Sequence, residues 1–323
     1  MKRITWIDWS KVICIYLMVV CHAGQEGLIL NMSYQFHMPA FFIISGFLFK
    51  PRDIPNELKS FGVPIAFLGI VYLLYNIALE IHDTGSVLQY IQDNRLFTMV
   101  TDWAQSLVLY GGIAFFPGDW FIICLLIVRC LMNIRIIRSN AIKIAIVCFV
   151  FNCTSIANHL PNIVTDLIAF RVFSAIPLFV TGMLIKQKEI KIIKGHIELK
   201  ILACIIFFIL TQIQGRADML GYKYGLNYSI FFLNALLGSW LLFNFCSLLP
   251  QRNWIRVLST GTFLILGLHA IIYPYVSTIL QIITRNPYLP LLVGMVVLAI
   301  CYPLIVYLDK HHPLLLGKLT RIK

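Results

Sequence analysis

Residues 7–24 read IDWSKVICIYLMVVCHAG, an apolar run with polar residues at both ends. A run of about 20 apolar residues is long enough to cross roughly 30 Å of hydrocarbon as a helix. This one nevertheless carries Asp8 and Lys11 near its start and His22 at its end. Charged or imidazole side chains inside a membrane helix are costly, and they therefore indicate a functional site unless they are paired structurally.

The composition places the whole chain in a membrane. Of its 323 residues, 59% are hydrophobic and only 12% charged, and the mean hydropathy of +0.84 lies outside the range of soluble domains. Alternating strands typical of an outer-membrane barrel are absent. We predict an all-α polytopic fold, one domain over 1–323, with about ten spans: 5–23, 34–50, 61–81, 118–137, 141–158, 170–186, 199–215, 228–249, 259–280 and 288–308. Residues 96–112, which include Asp102, are predicted to form an interfacial or re-entrant helix.

The distribution of basic residues predicts the orientation. The net charge is +12, but most of the Lys and Arg fall in the loops on one side of the predicted spans. This asymmetry is the positive-inside pattern, which predicts cytoplasmic termini in the cell inner (plasma) membrane and gives no support to nucleic-acid binding. The opposite side keeps only Arg95, Arg171, Arg216, Lys223 and Arg285.

Two other readings of the sequence carry less weight. The nine cysteines lie mostly in apolar spans without zinc-ligand spacing, so we predict packing roles and no metal site.

A cleaved signal peptide is the alternative for the first span, because Met1, Lys2 and Arg3 precede an apolar run. Asp8 and Lys11 interrupt that pattern, and no A-x-A cleavage site follows.

Helical periodicity places Lys11 and His22 on one face of the first span. Eleven residues at 100° each return to within about 20° of the same direction, with a rise of about 16 Å. The alternative is that Lys11 reaches the headgroups while His22 caps the helix end. The next span begins with FHMPAFFIISGFLFKPR, residues 36–52, and places His37 near His22 if the two spans form a hairpin.

These residues resemble the membrane-bound acyltransferase-3 family, in particular its fucose O-acetylase-like members. The resemblance rests on a basic residue and a His on the first helix, here Lys11 and His22, and on blocks in the expected order. Those blocks are MPAFFIISGFLF (38–49), LKSFGVPIAF (58–67), DWFI (119–122), AIPLFVTGMLI (175–185) and LSTGTFLILGLHAIIY (258–273). The family commonly has Arg where Lys11 stands, and Arg binds phosphate with a bidentate fork where Lys offers a point charge.

The resemblance implies transfer of an acyl group, usually acetyl from acetyl-CoA, to a hydroxyl of a glycan or lipid-linked sugar. His22 would then act as the general base or as the acyl acceptor. Lys11 would stand near the donor, whose phosphates suit the basic residues at the same membrane face; for the loop residues the alternative is an orientation signal. We expect the donor contacts from Lys50, Arg52, Lys59 and Arg129, and the acceptor contacts from His37, Trp120 and His269.

Each of the last candidates has a structural alternative. Trp120 fits an aromatic belt as well as a sugar-stacking platform. Arg129 lies within a span and could pair structurally, and a buried His269 needs a hydrogen-bond partner in any case. At the level of the whole protein, the alternatives to an enzyme are a polysaccharide exporter or flippase and a structural subunit of a synthesis complex.

Overall fold

The structure is a computed structural model that describes residues 4–84, 95–105, 109, 111, 116, 118–154, 167–188, 196–283, 286 and 288–319. Apart from one short hairpin, the elements of these residues are helical. The helices are α1 (Thr5–His22), α2 (Gly27–Phe47), α3 (Ile54–Thr84), α4 (Arg95–Gln105), α5 (Asp119–Asn133), α6 (Arg135–Ser139), α7 (Ala141–Cys153), α8 (Ile168–Gln187), α9 (Ile197–Gln214), α10 (Tyr228–Ser247), α11 (Asn253–Thr260), α12 (Thr262–Ile283) and α13 (Leu289–His311). The hairpin pairs β1 (Ala217–Asp218) with β2 (Lys223–Tyr224), and a 3₁₀ turn follows at Pro313–Leu316.

The predicted helical fold class is confirmed. Within the described residues, seven helices are long and apolar enough to cross a membrane: α1, α3, α8, α9, α10, α12 and α13. The other three predicted spans overlap α2, α5 and α7, while ten crossings stay a prediction. Residues 155–158 of the span predicted over 141–158 lie outside the described residues. The predicted interfacial helix over 96–112 overlaps α4; residues 106–108, 110 and 112 lie outside the described residues.

Helix α2 begins seven residues earlier than the predicted start at 34. Its first half carries polar side chains that lower its hydropathy, but several of them lie inside the protein. Gln35 is buried, and its Nε2 donates a hydrogen bond to the Gly215 carbonyl oxygen at 2.8 Å. A buried amide with a partner is tolerated within a helix bundle, and the helix therefore extends through this polar segment.

Helices α1, α2 and α8 form the centre of the bundle. Helix α1 packs against α2, α10, α11, α12 and α13, and α2 packs against α8. The backbones of α2 and α8 approach closely at two glycines. A Cβ on Gly46 would lie 1.9 Å from the Phe179 carbonyl oxygen, and one on Gly182 would lie 2.0 Å from the Ile43 carbonyl oxygen. Each helix thus supplies the glycine that admits the backbone of the other.

We expect Gly182→Ala to destabilise the protein, because the added methyl group would clash with backbone atoms. Unlike a side chain, the backbone cannot relieve the clash by a change of rotamer. Overpacking of this kind costs about 1–3 kcal/mol. Thermal unfolding of the detergent-solubilised protein measures the loss. Gly62→Ala, at a helical site with nothing within 4 Å of the added Cβ, is the control and should unfold at the wild-type temperature or slightly above it. Equal unfolding temperatures for both variants would contradict the described helix crossing.

Candidate active site along helix α1

A cavity of about 540 Å³ runs along one face of α1. This volume lies within the range of roughly 300–1,000 Å³ that is typical of small-molecule sites. One wall consists of Ile4, which directly precedes α1, and of Ile7, Asp8, Lys11, Ile15 and Met18 of α1. These positions recur every three or four residues and therefore form one helical stripe. The remaining wall comes from α2, the loop after α2, α3, α5, α11, α12 and the segment after α13.

The charged residues of the wall are mostly basic. Among the described residues that line the cavity, Lys11, Arg52, Arg129 and Lys318 are basic, and Asp8 is acidic. Of the basic residues expected to bind the donor, the structure therefore brings Lys11, Arg52 and Arg129 together. These basic side chains make the cavity suited to a polyanionic ligand.

Two further basic residues expected at the donor site lie elsewhere. Lys50 and Lys59 are exposed and do not belong to the cavity wall. Their neighbour Arg52 is exposed as well, but it does line the cavity, and its backbone N–H donates to Asn133 Oδ1 at 2.8 Å. The loop after α2 thus directs one of its basic residues toward the cavity.

Arg129 is paired with Glu57, a residue that the sequence analysis did not select. The Nε and Nη2 atoms of Arg129 donate to Glu57 Oε2 at 3.0 Å and Oε1 at 2.7 Å. The Glu57 residue is fully buried and Arg129 is 8% exposed. The guanidinium carbon also lies 5.4 Å from the ring centroid of Phe49 and 5.7 Å from that of Phe61. The Glu57 carboxylate offsets the Arg129 charge, so Arg129 contributes less net positive charge toward a ligand.

The cavity ends in an apolar wall. Met18, Met38, Phe41, Phe121 and Leu266 line it at the end farthest from the α1 N-terminus. His22 is the next residue on the α1 stripe, one turn and about 6 Å beyond Met18. His22 is exposed and does not line the cavity. The cavity and the histidine are therefore neighbours along one helix, and Met18 is the last α1 residue of the wall before His22.

The three candidate histidines form a cluster beyond this wall. The rings of His22 and His269 meet edge to face with centroids 4.9 Å apart. His269 is fully buried and its Nδ1 hydrogen-bonds the Leu266 carbonyl oxygen at 2.7 Å, while its Nε2 has no protein partner among the described residues. His37 is buried, interacts electrostatically with His22, and its Nδ1 bonds the Ser33 carbonyl oxygen at 2.6 Å. The backbone bonds fix the orientation of both buried rings.

The β1–β2 hairpin adds two charged residues to this cluster that sequence reasoning missed. The Arg216 guanidinium carbon lies 5.3 Å from the ring centroid of Tyr34, and that ring packs on His37 with centroids 5.4 Å apart. Asp218 interacts electrostatically with His22. Loop residues carry no helical periodicity, so only the folded hairpin reveals these neighbours. The histidine cluster thus has charged neighbours, and His22 is its exposed member.

Buried hydroxyl groups hold the hairpin in place. Tyr224 donates to Ser174 Oγ, and Tyr222 donates to Asn152 Oδ1. Arg171 Nε donates to the Leu220 carbonyl oxygen at 2.7 Å. Burial raises the pKa of Tyr224, so its hydroxyl stays protonated and remains a donor.

Trp120 lies in the first turn of α5 and is 8% exposed. Its backbone N–H donates to Asp119 Oδ1 at 2.6 Å, and its ring meets that of Phe121 at 6.1 Å between centroids. It does not line the cavity. The structure therefore places Trp120 in the packed interior, next to a residue of the apolar wall.

The chain was also compared with known proteins. A family model described as an acyltransferase domain matches residues 4–308. Searches of the curated proteins and of the solved structures found no match.

The Glu57–Arg129 pair should show strong coupling in a double-mutant cycle. Glu57→Gln leaves a buried guanidinium without its counter-charge, which costs about 3–5 kcal/mol. The double variant Glu57→Gln, Arg129→Met removes both charges, so we expect it to unfold at a higher temperature than Glu57→Gln alone. Thermal unfolding in detergent measures both. Asp53→Asn, at an exposed acid near the start of the same helix, is the control, and additive effects at Glu57 and Arg129 would contradict a shared ion pair.

Proposed function

Since the chain belongs to the acyltransferase-3 family, we propose that it is a membrane O-acyltransferase that moves an acetyl group from acetyl-CoA to a hydroxyl of a cell-envelope or extracellular polysaccharide. The observation that supports this most directly is the α1 stripe. It lines the cavity from Ile4 to Met18 and reaches His22 one turn later. One helix thereby connects a basic cavity to a histidine cluster.

His22 is the proposed base. The hydroxyl oxygen of the sugar attacks the thioester carbonyl carbon while His22 takes the hydroxyl proton, and a neutral imidazole is suited to this near pH 7. Collapse of the tetrahedral intermediate forms the sugar ester and breaks the C–S bond, and the proton returns to the CoA thiolate. In the alternative route, a ring nitrogen of His22 attacks the thioester carbonyl carbon, breaks the C–S bond and releases the CoA thiolate. The sugar hydroxyl then attacks the acetyl-imidazole, which frees His22, and the hydroxyl proton goes to the thiolate.

Lys11 and Arg52 are the proposed contacts for the donor phosphates. Both line the cavity, and both lie toward the end that the positive-inside pattern assigns to the cytoplasm. The thioester end of the donor would then extend along the apolar part of the stripe, past Ile15 and Met18. Unbranched methionine side chains adapt their shape easily, so Met18 and Met38 are the residues that would move to admit the acetyl group to His22.

The acceptor would bind at the histidine cluster. His37 and His269 flank His22 there, and Arg216 with Tyr34 offers a cation and a ring to a polar ligand. On the proposed topology of ten spans with cytoplasmic termini, in the plasma membrane, this cluster faces outward. An exported glycan would reach it without crossing the cavity.

His22→Ala should lower acetyl transfer at least about a hundredfold, the lower scale of general-base effects. The comparison uses glycan from cells with the wild-type gene, a deletion and the variant, scored for ester-linked acetyl groups by mass and NMR. His82→Ala, at an exposed His at the end of α3, should transfer normally. Near-normal transfer by a normally inserted His22→Ala protein would exclude His22 as the essential group.

The same strains distinguish the enzyme from an exporter. Deletion of the gene for an acetyltransferase removes the ester and leaves unmodified glycan at the surface. Deletion of the gene for an exporter leaves the ester content unchanged and traps glycan inside the cell. The second pattern would overturn the proposed function.

Lys11→Ala should raise the apparent KM for acetyl-CoA more than the KM for the acceptor, because it removes a cation from the donor cavity only. Steady-state kinetics on the purified protein give both constants. Lys143→Ala removes an exposed cation on α7, away from the cavity wall, and should leave both constants at wild-type values. Equal increases in both constants for Lys11→Ala would indicate a folding defect in place of a donor contact.

A further inference from the structure

The segment that follows α13 forms part of the cavity wall, although it lies beyond the family match. That match ends at residue 308, whereas Leu316, Gly317 and Lys318 line the cavity. The 3₁₀ turn Pro313–Leu316 brings the chain back toward the mouth of the cavity, where it packs against α3 and α13. These three residues therefore belong to the cavity wall and lie outside the matched residues.

The turn is fixed in position by a tight contact with α3. Ser60 Oγ donates to the Gly317 carbonyl oxygen at 2.6 Å, and Leu316 is buried. Gly317 has a φ of +75°, and a Cβ there would lie 2.9 Å from the Ser60 carbonyl oxygen and 3.3 Å from Phe263 Cε2. A left-handed φ without room for a side chain requires glycine. The position of Lys318 is thus set by the fold.

Lys318 carries its charge at the mouth of the cavity. Its Nζ pairs with Asp309 Oδ1, and about two fifths of each side chain is exposed. An ion pair with this exposure is weak, because water screens it and the long side chain loses conformational freedom. A phosphate group offers several strong acceptor oxygens and more negative charge than one carboxylate. Lys318 can therefore exchange Asp309 for a phosphate of a ligand in the cavity.

We propose that the turn Pro313–Lys318 completes the donor site and that Lys318 binds a phosphate group of coenzyme A. This inference rests on the proposed function, since it names a further contact for the same donor. Lys318 joins Lys11 and Arg52 on the wall of one cavity, and together they meet the several phosphates of coenzyme A from different elements of the fold. Asp309 holds the Lys318 ammonium at the mouth while the site is empty.

The test measures binding of coenzyme A to the purified full-length protein in detergent by calorimetry. Lys318→Ala should weaken binding about tenfold, the scale of one charge-assisted hydrogen bond. Lys318→Arg should bind nearly as the wild type does. Asp309→Asn should bind more tightly, because it removes the competing carboxylate. Lys310→Ala, an exposed cation at the end of α13 outside the cavity wall, is the matched control and should bind as the wild type does.

A second ligand identifies the phosphate. If Lys318 binds the 3′-phosphate, the Lys318→Ala defect disappears with 3′-dephospho-coenzyme A, and if it binds the diphosphate the defect persists. Either result supports the inference. Wild-type affinity in Lys318→Ala, in protein that elutes as a single folded species, would overturn it while leaving the proposed function intact. A wild-type protein that binds no coenzyme A would overturn both.

Discussion

The close contact between α2 and α8 is the constraint on which the arrangement of the site depends. Between helices in lipid there is little hydrophobic driving force, and close packing at small residues supplies the association instead. Gly46 and Gly182 let the two backbones touch, and both lie in blocks that carry the family resemblance, IISGFLF and FVTGMLI. Helix α2 then packs on α1 and carries His37 toward His22. A shift at the crossing would therefore change the distance between histidines on different helices.

Hydropathy and periodicity predicted the features that depend on one helix at a time. The first span was expected over 5–23 and is Thr5–His22, and the span expected over 170–186 is Ile168–Gln187. Helical spacing also predicted that Lys11 and His22 share a face, and the cavity wall follows that face as far as Met18. The start of α2 was missed, because hydropathy counts Gln35 as a polar residue and does not register its buried partner.

The features that depend on two distant segments were harder to predict from the sequence. Nothing in the local sequence joins Glu57 to Arg129, 72 residues away, or brings the loop residue Arg216 to Tyr34. Charge placement treats Lys50, Arg52 and Lys59 alike, since all three follow the same span, but the fold turns only Arg52 into the cavity wall. Tertiary packing decides which of these residues reaches the cavity, and the spacing of residues within one helix gives no information about it.

The apolar layer between cavity and histidines has a consequence for the membrane itself. Met18, Met38 and Leu266 line the cavity, and their apolar side chains offer no hydrogen-bond partners to a file of water between the basic residues of the wall and the exposed ring of His22. On the proposed orientation, such an apolar layer would keep the resting protein electrically insulating and would block a leak of protons down their gradient. When a donor molecule fills the cavity, its acyl arm would take the place of the displaced side chains and keep the barrier closed.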